Sequence, residues 1–292
     1  WYVNYCCRDD FGTLATHTSA WAGIHYFASR KGRAANANSD VVLTWPAGNG
    51  WLAQQLRQAV ADHIRGSVLV ANIALANGKV KVLTFDASSD EWHEIVAEKV
   101  VVATPQFVNQ YLLPGSRKQI AENFEYAPWM VANLTINGDL NEKRGEPLAW
   151  DNVIYQSQSL GYVNANHQHL SQTSANKKVL TYYLPLPDYP YNQTRLQIRE
   201  RSWDTWIVEL LSDLSKPHPN IRTEVEEANV WIWGHGMISP PPGFIFGEAR
   251  RHSQGSVGEK IFFAHSDLSG ISIFEEAFYW GTKAALDVID RA

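Results

Sequence analysis

Several residue sets in this chain have the types and spacing to do chemistry. Gly48, Gly50 and Ala53 satisfy G-x-G-x-x-A between a predicted strand at 41–45 and a predicted helix at 51–64. That pattern seats a dinucleotide pyrophosphate on a helix N-terminus. Here Pro46 separates the strand from the first glycine, and residues 68–76 hold no carboxylate for a ribose hydroxyl. The pattern therefore reads as a structural turn. His167 and His169 share one face of any strand and have metal-ligand spacing. Their surroundings are rich in Gln, Asn and Ser, without Cys or carboxylate, so a solvated loop is expected and no metal centre. Trp231, Trp233 and His235 alternate along one predicted strand and either line a substrate cavity or pack as a buried aromatic row. Arg8-Asp9-Asp10 either meets a cationic amine or forms an exposed ion pair. Cys6 and Cys7 are adjacent and read as packing residues. No G-x-S-x-G elbow occurs, which leaves hydrolase chemistry unsupported.

The elements that must position these residues follow from periodicity. Residues 67–76 and 79–86 are β-rich and meet at Asn77-Gly78, a dipeptide that tolerates positive φ at both central turn positions. Residues 94–103 are expected to close a three-stranded meander. Strand alternation returns at 130–136 and 179–184, and apolar positions from 193 to 214 fit one helix. A strand at 225–234, a Pro-Pro-Pro-Gly turn at 240–243, a buried strand at 260–264 and a helix at 273–290 complete the chain. The character of the sequence changes between, so residues 111–224 read as a domain inserted into one formed by 41–110 and 225–292, with 1–40 a helical and loop segment on the substrate side.

Composition narrows the partners. With 292 residues, 45% of them hydrophobic, the chain can bury a substantial core. Lys plus Arg number 25 against 30 Asp plus Glu, and a net charge of −5 gives neither nucleic acid nor an anionic membrane a reason to bind. No apolar run approaches the roughly 18 residues that a membrane helix needs. A soluble protein is expected, cytoplasmic or periplasmic, with a small-molecule or protein partner.

Trp45-Pro46-x-Gly48-Asn49-x-x-Leu52, followed by a helix, a meander and Val100-Val101-Val102-Ala103-Thr104-Pro105, resembles the middle of flavin-dependent amine oxidases. The likeness recurs at the end, where Ile261-Phe262-Phe263-Ala264-x-x-Asp267 and Glu275-x-Ala277-x-x-x-Gly281-x-x-Ala284-Ala285 look like that family's closing FAD motif. The stretches 5–12 and 19–27 are more narrowly similar to bacterial spermidine-dehydrogenase-type members.

The resemblance implies an α/β (α+β) fold: a partial FAD-binding, glutathione-reductase-like domain with an inserted, sheet-containing substrate domain. It implies the cofactor FAD and a small-molecule amine or polyamine substrate, oxidised at its C–N bond by hydride transfer to flavin, with the imine then hydrolysing. It places Asp267 beside the ribityl and pyrophosphate region, the backbone of Phe274, Glu275, Glu276 and Ala277 against the flavin, and the backbone of Val68 near the adenine. It assigns no catalytic base. The family's first Gly-rich turn lies upstream of anything here, so the chain reads as the C-terminal part of a longer protein. Alone it is expected to be inactive, to bind FAD weakly and to pair with a second copy through the surface the missing unit would cover. The sequence departs from the family at His265 and Glu276, where close-approach glycines stand, at Ile273, where an aromatic flanks the flavin, and near Val131, where many oxidases carry a lysine. Two further readings stay open: an FAD-dependent desaturase of another substrate, and a non-catalytic module that has lost its FAD contacts.

Overall fold

The computed structural model describes residues 1–29, 35–36, 45, 47–140, 149–165 and 177–291. They form two compact units, the first made of 1–16, 23–54 and 126–237, the second of 17–22, 55–125 and 238–292. The strand expected at 41–44 and the pair His167 and His169 lie outside the described residues.

The first unit is built on a five-stranded sheet. Its strands are β5 (Glu125–Asn137), β6 (Asp151–Asn152), β7 (Gly161–Asn164), β8 (Lys177–Pro185) and β9 (Val225–Ser239), in the order β6-β7-β8-β5-β9. β5 and β8 run antiparallel with Met130 opposite Leu184 and Leu134 opposite Leu180. Because successive side chains alternate between faces, Met130, Ala132, Leu134 and Ile136 all enter one core with Leu180, Tyr182 and Leu184. The helix α7 (Trp203–Leu214) covers that face with Trp206, Leu210 and Leu214. The single helix expected from 193 to 214 is two, α6 (Tyr191–Glu200) and α7, because Ser202 accepts a hydrogen bond from Thr205 N and starts a new helix.

At its beginning the chain forms α1 (Tyr2–Phe11), which stops at Gly12 with φ 65°. A Cβ at Gly12 would lie 2.6 Å from both Ala127 Cβ and Trp129 Nε1, so a side chain there meets the sheet as well as the strained φ. Arg8 is not the exposed ion-pair member that the sequence allows. It is 5% exposed and donates to the backbone carbonyls of Gln158 and Ser157, since a buried guanidinium has to find acceptors. Cys6 and Cys7 are buried free thiols.

In the second unit, β1 (Val68–Ala76), β2 (Lys79–Asp86) and β3 (Glu91–Ala97) make the meander. Its first hairpin turns at Asn77 and Gly78, with φ 53° and 74°. The third strand ends at Ala97. The chain then leaves the meander, and β4 (Val100–Val102) pairs in parallel with β10 (Ile261–Phe263), Val100 opposite Ile261. Residues 94–103 are thus two strands in two sheets. Residues 100–102 and 261–263, distant in sequence, are neighbours, and Val100, Val102, Ile261 and Phe263 join one core with Val80, Val82, Leu112, Leu268 and Trp280. The helix α10 (Phe274–Asp290) puts Trp280 and Ala284 inward and leaves Phe278, Tyr279, Leu286 and Ile289 exposed. Among the described residues no helix is long and apolar enough to cross a membrane.

Candidate functional site

β10 ends at Phe263, and the chain makes a single turn of 3₁₀-helix, Ser266–Leu268, before reaching α10. Asp267 sits on that turn at 2% exposure. Its Oδ2 accepts a hydrogen bond of 2.9 Å from the backbone N of Gln106, the first residue of α4 (Gln106–Leu112). The start of a helix carries unpaired N–H groups and partial positive charge, so a carboxylate is held well there. Asp267 thus ties the end of one strand connection to the start of another. The side chain of Gln106 is fully buried, and neither its oxygen nor its nitrogen finds a partner among the described residues.

The two glycine-replacing residues have local partners. His265 has φ −162°, an extended conformation open to any residue, so a glycine is not required there. Its Nδ1 lies 3.1 Å from both Asp267 N and Asp267 Oδ1; the ring accepts from the first or, when protonated, donates to the second. Glu276 accepts from the Ser269 hydroxyl, which in turn accepts from Trp280 Nε1 at 2.7 Å. These side chains knit the turn to α10.

The first turn of α10 has no side-chain cap, and its first helical hydrogen bond runs from Ala277 N to Ile273 O at 3.3 Å. Glu275 and Ala277 are exposed, whereas Phe274 and Glu276 are half-buried. The backbone N–H groups that precede Ala277 therefore point out of an accessible helix end. Val68 stands apart from this cluster, at the start of β1 opposite Asp86 on the edge of the meander.

Trp231, Trp233 and His235 belong to the first unit, on β9, at one end of its five-stranded order. The two tryptophans are 44% and 56% exposed, so they are not a buried aromatic row. His235 packs edge-on against Tyr126, with ring centroids 5.7 Å apart. Burial of part of its ring, with the Arg195 charge beside it, lowers its pKa to about 4. It is neutral at pH 7. Between α6 and β9 lies a cleft of about 710 Å³ that His235 lines and the tryptophans do not.

Sequence reasoning passed over three buried polar centres. Arg117 is 1% exposed, donates to Ser253 O and Gly255 O, and lies 3.3 Å above the Phe263 ring. Asp213 collects Ser157, Ser159, Tyr182 and Lys216 around one carboxylate. Gln106 is the third. Arg117 and Asp213 bond mainly to residues distant in sequence, which leaves no local sign of their burial. The arginines of the cleft did leave a signal, since Arg195 and Arg199 stand four apart on a helix.

No family model and no curated protein matches this chain. Solved structures do. A redesigned triple mutant of putrescine oxidase superposes with a TM-score of 0.69 over 99% of this chain at 14% identity. Cyclohexylamine oxidase from Brevibacterium oxydans IH-35A gives 0.64 over 98% at 14% identity. A protein from Exiguobacterium sp. described as a protoporphyrinogen oxidase gives 0.53 over 82% at 12% identity. The fold is thus α/β and shared with these oxidases. This chain spans 63% of the length of the first two and 52% of the third.

Proposed function

We propose that the complete protein is an FAD-dependent oxidoreductase acting on the C–N bond of an amine, with a polyamine of the spermidine kind as substrate. The observation that carries this reading is the fold shared with two amine oxidases over nearly the whole chain, together with the accessible N-terminus of α10 where the closing FAD motif falls. When bound, FAD accepts a hydride equivalent from the carbon bearing the amine.

The residues present fit such a group unevenly. The uncapped first turn of α10 offers donors to an uncharged, electron-rich ring system, while Glu275 and Glu276 on the same turn disfavour a phosphate there. Phe274 to Ala277 are the residues that would face the flavin. Asp267 is buried and already bonded to Gln106 N, so in this reading it fixes the turn that precedes the helix. Val68 lies on a strand that, among the described residues, has a neighbouring strand on one side only, which leaves backbone for an adenine contact. Trp231 and Trp233, on the first unit, carry exposed aromatic surface of the kind that holds the apolar part of an amine.

The test is a titration of the complete protein with FAD, followed by quenching of flavin fluorescence. Ala277→Glu adds a third carboxylate to the exposed first turn of α10 and should weaken FAD at least fivefold without lowering the melting temperature. An unchanged affinity, or a parent protein that binds no FAD, refutes the assignment of this turn.

A further inference from the structure

The cleft between α6 and β9 has the wrong charge for a polyamine. Arg195, Arg199 and Arg201 all line it, and among the described residues no carboxylate does. Arg201 is already engaged, paired with Glu209 and lying 3.6 Å above the Trp206 ring. The other two are not neutralised. Arg195 spends one donor on Tyr126 O at 3.0 Å and has no carboxylate partner among the described residues. Its stem runs across the bare backbone of Gly234, 3.5 Å from where a Cβ would stand, which keeps that wall open. Arg199 is exposed on α6 and pairs with nothing among the described residues. A guanidinium retains up to five N–H donors in a planar fork, and four-residue spacing sets Arg195 and Arg199 on one helix face. Two such forks without a counter-charge repel each other and repel any ammonium group, and a bound oxyanion relieves both effects. The rest of the lining joins the apolar side chains of Leu196, Ile198 and Ile232 to the amide of Asn192.

We propose that this cleft binds a small organic carboxylate, its carboxylate group held by Arg195 and Arg199 and its hydrocarbon body lying against Leu196, Ile198 and Ile232. The planar carboxylate matches the guanidinium fork in two parallel hydrogen bonds, and the apolar wall favours an acid with an aliphatic or aromatic body over a bare inorganic anion. His235 lines the cleft as a neutral imidazole and brings no competing charge. The site is separate from the flavin reading and stands or falls without it.

Hexanoate is the probe, with hexylamine and inorganic phosphate as controls. Isothermal titration at neutral pH is expected to show saturable binding of hexanoate, no binding of hexylamine, and weaker binding of phosphate. Ring resonances of His235 should move as hexanoate is added. Arg199→Gln, a change at an exposed position, should keep the circular dichroism of the parent and weaken hexanoate at least tenfold; Arg195→Gln should weaken it at least as much. The proposal is overturned by absence of saturable hexanoate binding, by phosphate binding more tightly than hexanoate, or by hexanoate affinity that survives both substitutions.

Discussion

The carboxylate of Asp267 caps a helix that begins 161 residues earlier, through a hydrogen bond of 2.9 Å to Gln106 N. Removing a charged acceptor from a buried backbone donor costs about 1.5–3 kcal/mol. Asp267→Ala is therefore expected to lose that much stability in urea denaturation, and Asp267→Asn, which keeps an oxygen, to lose less. The resemblance also places Asp267 beside the flavin's ribityl and pyrophosphate region, a role that the bond to Gln106 N leaves untested. Equal stability of parent and Asp267→Ala would contradict the capping role.

His235 gives the first unit a defined pH response. Its folded pKa of about 4 lies below the value of about 6.5 of an unfolded histidine. Between those values the unfolded chain binds more protons, so stability rises with pH across the window and falls on acidification through it. In His235→Phe that part of the slope should vanish. An NMR titration that places the midpoint of His235 near 6.5 would contradict the account.

Arg117 pins the Ser253 and Gly255 carbonyls to the ring of Phe263 in the second unit. Burial lowers its pKa to about 10, which leaves it protonated at neutral pH. Arg117→Met leaves both carbonyls without this donor and should cost about 2–4 kcal/mol. Arg117→Lys, with one compact donor group, should recover only part of the loss.

Asp213 is the corresponding hub of the first unit. Burial works to raise its pKa, but the Lys216 ammonium at 2.7 Å and hydrogen bonds from Ser157, Ser159 and Tyr182 outweigh it, and the net shift is downward. A depressed carboxylate contributes stability above its unfolded pKa, and that contribution is lost as pH falls through the folded value. Asp213→Asn should therefore be less stable at pH 7 and show a flatter acid limb. Asp213→Ala should lose at least about 3 kcal/mol, since several donors are stranded at once.

The elements of the second unit were legible because each carries its own local signal. Asn77-Gly78 marks the hairpin, the apolar run 100–103 marks a strand, and the apolar positions along 273–290 mark a helix. Where each strand goes is not local information. Residues 94–103 read as one strand because nothing in their pattern shows that Val100 bonds to Lys260 O instead of continuing the meander. The helix break at Arg201-Ser202 was missed because the apolar face carries on across it, and only the cap at Ser202 reveals it. The candidate site was legible as a motif at 264–277 but not in its chemistry. Burial of Asp267, the neutral state of His235 and the arginine cleft all arise from packing between elements.

The central claim is that the complete protein passes electrons from an amine to FAD. Its most direct measurement is the absorbance of the purified complete protein loaded with FAD, recorded anaerobically before and after addition of spermidine. The account predicts a bound flavin whose oxidised bands bleach with spermidine and return on addition of an electron acceptor. A flavin that stays oxidised with spermidine and with simpler primary amines, or a complete protein that retains no flavin, would contradict it.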